Sequence, residues 1–117
     1  MERVEGIGGY FIRAADPVAL GAWYREFLGL DADEHGVWRP TEGLTVFATF
    51  EAETDYFGSR SQQTMVNFRV HDLDAMLAQL RHKGAAVDEE TQEMEGVGRF
   101  GWVTDPEGNR IELWQPA

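Results

Sequence analysis

The sequence predicts an α+β fold in which two tandem βαβββ units form one curved, eight-stranded mixed sheet, with helices outside and a concave cleft inside. Two observations carry this. A strand-like segment followed by a capped helix occurs twice, with Ile12-Arg13 and Asp16 of the first copy matching Phe68-Arg69 and Asp72 of the second at a constant offset of 56 residues. Each helix is then followed by short strand-like pieces rather than by another helix. An internal duplication accounts for both features.

The first unit spans about residues 6–52. It opens on the apolar segment Ile7 to Ala14. Asp16 is a natural N-cap, Pro17 suits the first helical position, and Leu20, Trp23, Tyr24, Phe27 and Leu28 recur at helical spacing before Gly29, which can take the left-handed conformation that ends a helix. Leu30 to Asp33, Val37 to Arg39 and Leu44 to Phe50 then read as strands. Residues 53–62, polar and containing Gly58, Ser59 and Ser61, read as a surface linker.

The second unit, about residues 63–116, repeats the grammar: Met65 to Val70, Asp72 as cap, Leu73, Met76, Leu77 and Leu80 at helical spacing, and Gly84 as the stop. Its strands are Ala86 to Glu90, Arg99 to Thr104 and Arg110 to Gln115. One amphipathic helix covers only one face of a four-stranded sheet, so neither unit closes a core alone. Set side by side, the two make a single domain over residues 1–117 with the open faces forming a cleft suited to a ligand.

Composition narrows the function. The chain has 117 residues, 43% of them hydrophobic, enough for a core without disulfides or structural zinc. It contains no cysteine, which excludes thiol catalysis, thiolate metal sites and iron–sulfur clusters. A formal charge of −11 repels phosphate backbones and argues against nucleic acid as a partner. No apolar run has the length of a membrane span, and Met1-Glu-Arg-Val-Glu-Gly6 lacks the apolar core of a signal peptide, so a cytoplasmic protein is expected. Ser59 and Ser61 sit outside any nucleophile-elbow pattern, and Gly6-Ile-Gly-Gly9 lacks the spacing of a dinucleotide loop.

The segments Ala15-Asp-Pro, Ala22-Trp-Tyr-Arg-Glu-Phe-Leu-Gly-Leu30, Phe68-Arg-Val-His-Asp-Leu-Asp74 and Thr104-Asp-Pro-Glu-Gly-Asn-Arg-Ile-Glu-Leu-Trp114 give the chain its resemblance to the vicinal-oxygen-chelate superfamily of glyoxalases, bleomycin-resistance proteins and extradiol dioxygenases. The resemblance covers nearly the whole chain. In metal-dependent members it implies a divalent ion held by side chains from the first and last strands of each unit, and the matching positions here are Gly9, Phe47, Met65 and Glu112. One carboxylate among these cannot hold a catalytic divalent ion, so no metal and no other cofactor is expected. His35, in a turn, His71, before a helix cap, and His82, in a last helical turn, fall on no inward strand position.

Period-two alternation sends Met65, Asn67 and Arg69 to the cleft if Val66, Phe68 and Val70 face the helix, and by duplication sends Gly9, Phe11 and Arg13 inward. Ile111 and Leu113 pack outward, leaving Glu112 and Trp114 inside, and a five-residue turn places Trp102 opposite Glu112, whereas a slip of one would substitute Val103. The expected cleft therefore gathers Phe11, Phe47, Trp102 and Trp114 beside Arg13, Asn67, Arg69 and Glu112. Glu112 has three readings: a structural ion pair with Arg13 or Arg69, a general base, or an anionic anchor for a cationic ligand. The function expected is the binding of a small aromatic or cationic organic compound, without a metal, by a homodimer. The alternative is a glyoxalase-like lyase or isomerase using Glu112 as catalytic residue with a non-standard or absent metal.

Overall fold

The computed structural model covers residues 1–117. Both helices form where their caps place them. Helix α1 (Pro17–Leu28) starts with the Asp16 carboxylate accepting from the Ala19 N–H at 3.1 Å and stops at Gly29, whose φ of 69° is the left-handed value a β-carbon would disfavour. Helix α2 (Leu73–His82) starts with Asp72 accepting from the Ala75 N–H at 3.0 Å, and Arg81 and His82 lie in its last turn, where positive charge suits the helix dipole. The Gln79 side chain donates to the Phe27 carbonyl at 2.9 Å, joining the end of α1 to α2.

The sheet is mixed and open. Its strands are β1 (Asn67–Arg69), β2 (Ala86–Val87), β3 (Gln92–Met94), β4 (Gly98–Thr104) and β5 (Arg110–Pro116), in the order β1-β5-β4-β2 with β3 also on β4. β1 and β5 form the one parallel pair, and the crossover through α2 links β1 to β2 at the opposite edge of the sheet. No helix is long and apolar enough to cross a membrane.

Five strands therefore form, all from the second half, and not the expected eight. The expected first-half strands do not assemble because a strand exists only where its backbone finds a partner. Residues 1–15 make no backbone–backbone hydrogen bond at all. Between Leu30 and Phe50 a single hairpin rung forms, from the Asp33 N–H to the Val37 carbonyl at 2.9 Å, while the Asp33 carboxylate takes the N–H groups of His35 and Val37. That side chain captures the Val37 N–H that would otherwise extend a ladder.

Alternation along β4 and β5 divides the sheet into two faces. Val103, Ile111 and Leu113 are fully buried against Leu73, Leu77 and Leu80 of α2, and Trp23 of α1 joins the same cluster. Among the buried residues of the chain, only Leu20 and Trp23 precede Leu73, so the core belongs to the second unit with α1 laid upon it. The approach of α2 is close at Gly101, where an added β-carbon would lie 3.1 Å from Leu77.

Besides the apolar contacts of Trp23, polar bonds fix α1 in place. Glu107, in the turn between β4 and β5, accepts from the N–H groups of Ala15 and Asp16 at 2.6 and 3.0 Å, and the Tyr24 hydroxyl donates to buried Asp105 at 2.8 Å. Burial first, then the hydrogen bond to Asp105 and its negative charge, push the Tyr24 phenol far above the ordinary tyrosine range. The sign follows directly. Folding favours the neutral phenol, so this stability is complete below the unfolded pKa near 10 and is lost as the pH climbs above it. Tyr24→Phe is expected to lower stability by about 1 kcal/mol at neutral pH and to flatten the decline above about pH 10. Urea unfolding of both proteins at neutral pH and at about pH 11 measures this, and an unchanged alkaline slope contradicts it.

Candidate functional site

The sheet face turned away from the helices carries two rows of side chains across β1, β5 and β4. The ladder sets Asn67, Glu112 and Trp102 side by side in one row, and Arg69, Trp114 and Phe100 in the next. The register is the expected one, with Trp102 rather than Val103 opposite Glu112. Phe100 follows from the same alternation, two residues before Trp102 on β4, although it was not among the residues singled out from sequence.

Glu112 lies at the centre and is 8% exposed. One of its oxygens accepts from the Asn67 amide at 2.7 Å. The other accepts from the Trp102 indole N–H at 3.1 Å and from the hydroxyl of Tyr56. The expected ion pair is thus not what forms, because neither Arg13 nor Arg69 reaches the carboxylate and three neutral donors satisfy it instead. A carboxylate so engaged does not act as a general base unless a donor leaves.

Arg69 is committed elsewhere. Its guanidinium donates to the carbonyls of Thr41 and Glu42 at 2.7 and 3.5 Å, passing over Gly43, where any β-carbon would collide with it. This side chain ties the first half of the chain to the sheet. Trp114 stacks on Phe100 with the rings 5° from parallel and 6.2 Å between centroids, and its indole donates to the Val97 carbonyl at 3.0 Å. Gly98, at φ 136°, makes room for that indole, since a β-carbon there would lie 2.8 Å from its nitrogen. Arg13 is exposed, as are Phe11 and Phe47, at 95% and 86%. The structure therefore gathers Asn67, Trp102, Glu112 and Trp114 on one face, directs Arg69 to the first half, and leaves Phe11, Arg13 and Phe47 in solvent.

The residue that sequence reasoning missed is Tyr56. The segment around it does not lie free in solvent as a polar linker would, since Thr54, Tyr56, Phe57 and Gln62 are partly buried. Gln62 donates to the Arg110 carbonyl and accepts from the Arg110 N–H, both at 2.9 Å, so its amide substitutes for a ladder rung where β1 has not yet begun. Arg110 in turn donates to the Tyr56 carbonyl at 3.1 Å and to Asp88 at 2.8 Å, and its guanidinium lies 5.1 Å from the Trp102 ring centroid. Burial, then the bond to Glu112 and the carboxylate's charge, push the Tyr56 phenol well above its ordinary range, with Trp102 and Arg110 opposing in part. The signal in the sequence was the aromatic pair Tyr56-Phe57 within an otherwise polar stretch.

A divalent ion does not fit this face. Gly9, Phe47, Met65 and Glu112, the positions that the family resemblance gives to metal ligands, offer one carboxylate, and no three His, Asp or Glu side chains converge in the chain. His35, His71 and His82 are all exposed.

A mixed open sheet with two helices is consistent with the fold of the glyoxalase, bleomycin-resistance and dioxygenase superfamily. Within it, the chain belongs to the glyoxalase-like domain family, which matches residues 9–114. Among solved structures it is similar to TnmS3, an antibiotic binding protein from Streptomyces sp. CB03234, at 24% identity over 100% of both chains with a TM-score of 0.67. It is also similar to TioX from Micromonospora sp. ML1, at 21% identity over 89% of this chain and 93% of the other with a TM-score of 0.55. A superfamily member from Sphaerobacter thermophilus DSM 20745 matches at 17% identity over 89% of this chain and 91% of that one, with a TM-score of 0.58. No curated protein matches the chain.

Glu112→Gln tests the carboxylate's structural role. An amide keeps an acceptor for Asn67 but turns a donor toward the Trp102 indole N–H, and the expected cost is about 1–3 kcal/mol with altered Trp102 emission. Urea unfolding followed by fluorescence measures both, and unchanged stability with unchanged emission contradicts the assignment.

Proposed function

We propose that this protein binds a small aromatic organic compound on the concave face of its sheet, without a metal, and that it works as a homodimer. The observation that carries the reading is the composition of the face: the side chains of Phe100, Trp102 and Trp114, buried with Tyr56 and Met65 packed against them, surround a single hydrogen-bonding centre, Asn67 with Glu112, so a ligand reaches them where that cover gives way. Aromatic walls with few fixed polar groups suit a planar organic molecule, which gains from stacking and is oriented by one or two hydrogen bonds. The antibiotic-binding description of TnmS3, a protein of the same fold, supports the same reading. The lyase or isomerase reading has less support, because the residue it needs as base already accepts from three donors.

Dimerisation is proposed from the first half. Phe11, Leu44, Val46 and Phe47 are exposed, residues 1–15 lack backbone partners, and β1 forms an edge of the sheet with one neighbour, β5. Unpaired backbone beside exposed apolar side chains is a template for another strand-forming chain. A second copy supplies the partner with the same pattern, and pairing of this kind would also extend the sheet toward the eight strands of two complete units.

Two outcomes are expected. In calorimetric titration with planar aromatic compounds, Trp114→Ala weakens binding about tenfold, or roughly 1.4 kcal/mol; a panel in which no compound shifts tryptophan emission or melting temperature overturns the binding reading. In sedimentation equilibrium the protein has twice the mass of the 13.2 kDa chain, and Phe47→Asp returns it to the monomer. A wild-type monomer at micromolar concentration refutes the dimer.

A further inference from the structure

We infer that the compound bound at this face carries a neutral phenol, and that it binds by displacing the chain's own Tyr56. The inference rests on the binding reading above and names the ligand class for that same site.

Tyr56 is seated as a ligand would be. Its ring stacks on Phe50 at 5.5 Å and 23°, meets Trp102 edge to face at 6.0 Å and 84°, and points its hydroxyl at Glu112. The remaining donors to that carboxylate, Asn67 and Trp102, are neutral side chains fixed on β1 and β4. What the position asks of an occupant is a flat ring bearing one hydrogen-bond donor. The protein fills it with a phenol from the 53–62 segment.

The surroundings also discriminate against a cation. The Trp102 ring already has the Arg110 guanidinium 5.1 Å from its centroid, and Arg110 donates to the Tyr56 backbone. Asp88 pairs with that guanidinium at 2.8 Å, so charge repulsion is not the obstacle; an ammonium in the place of the Tyr56 hydroxyl would bring three donors to one carboxylate that already accepts from Asn67 and Trp102, and the desolvation of its surplus N–H groups against the rings opposes it. A neutral hydroxyl gains a charge-assisted bond to the carboxylate without that opposition.

Binding must proceed by exchange, because Glu112 is 8% exposed and Tyr56 supplies its cover. The segment is braced within itself. Arg60 reaches back to the carbonyl of Glu53 at 2.7 Å and to its carboxylate, closing the loop on itself. Turn bonds from Gly58 to Asp55 and from Gln62 to Ser59, both 3.0 Å, stiffen it internally. Gln62 holds one end to Arg110 through bonds that do not involve the Tyr56 ring. A closed form that must open before binding lowers the apparent affinity by the open fraction, so weakening the Tyr56 seat should strengthen binding.

The test is calorimetry with 4-methylphenol, methylbenzene and 4-methylbenzylamine against wild type and Tyr56→Gly. The variant is expected to bind 4-methylphenol at least about tenfold tighter than wild type does, to gain far less for methylbenzene, and to gain nothing for the amine. Should Tyr56→Gly fail to fold, Tyr56→Phe keeps the ring and loses only the hydroxyl, and it should bind 2-naphthol about tenfold tighter than wild type with no gain for 2-methoxynaphthalene. Equal gains for phenol and hydrocarbon, or a larger gain for the amine, overturn the ligand class. Unchanged 2-naphthol affinity in both variants, with wild type still binding it, overturns displacement while leaving the binding reading intact. If neither wild type nor any variant binds an aromatic probe, the binding reading has itself failed and this inference falls with it.

Discussion

The register between β4 and β5 depends on one buried carboxylate, that of Asp105. One of its oxygens accepts from the N–H groups of Glu107 and Asn109 at 2.8 and 3.0 Å, the other accepts from the Asn109 amide at 2.8 Å, and the backbone closes the turn from Asp105 to Asn109. Gly108, at φ 86°, supplies the left-handed residue that this tight loop needs. A slip of one residue would carry Glu112 and Trp114 to the helix face and Ile111 and Leu113 to the other, exchanging core for site. The same carboxylate takes the Tyr24 hydroxyl and so orients α1. Turn, sheet face and first helix are thus specified at a single point.

Glu112 poses the opposite problem to Asp105: it is nearly buried but placed where a ligand could arrive. A buried carboxylate is costly without donors, and the two general remedies are a cation or hydrogen bonds. Here Asn67, Trp102 and Tyr56 provide the second remedy. The choice changes what the site can do. A metal polarises a bound oxygen and promotes bond breaking, whereas neutral donors around a carboxylate leave an acceptor that selects for a proton-bearing group and fixes its direction. With Gly9, Phe47 and Met65 in the places that the family resemblance gives to metal ligands, those positions offer a single carboxylate, Glu112.

Much of this was legible in the sequence where the signal is local. The caps Asp16 and Asp72, the stop at Gly29, the alternation around Glu112 and the five-residue turn each depend on residues close in the chain, and each is found where expected. The missing part is nonlocal. Strands from Leu30 to Phe50 were expected because their composition is right, but composition does not supply a ladder partner, and Asp33 diverts the Val37 N–H from one. The partners of Glu112 were misassigned for a related reason: charge suggested Arg13 or Arg69, while the distance in sequence hid Tyr56. Polarity averaged over residues 53–62 masked one aromatic side chain with a specific destination.

Net charge is similarly a poor guide at this scale. A formal charge of −11 sets a field that favours cations at a distance, yet solvent ions screen that field within about 10 Å at moderate salt. Inside the site the nearest charges decide: Glu112 and Arg110, placed on the same strand two residues apart and both facing Trp102, and Asp88, which pairs with Arg110 at 2.8 Å. Asp88 neutralises Arg110, so Glu112 keeps its negative charge and meets it with neutral hydrogen-bond donors. The long-range excess of acid therefore says little about the surroundings of Glu112, which the neutral donors Asn67, Trp102 and Tyr56 set.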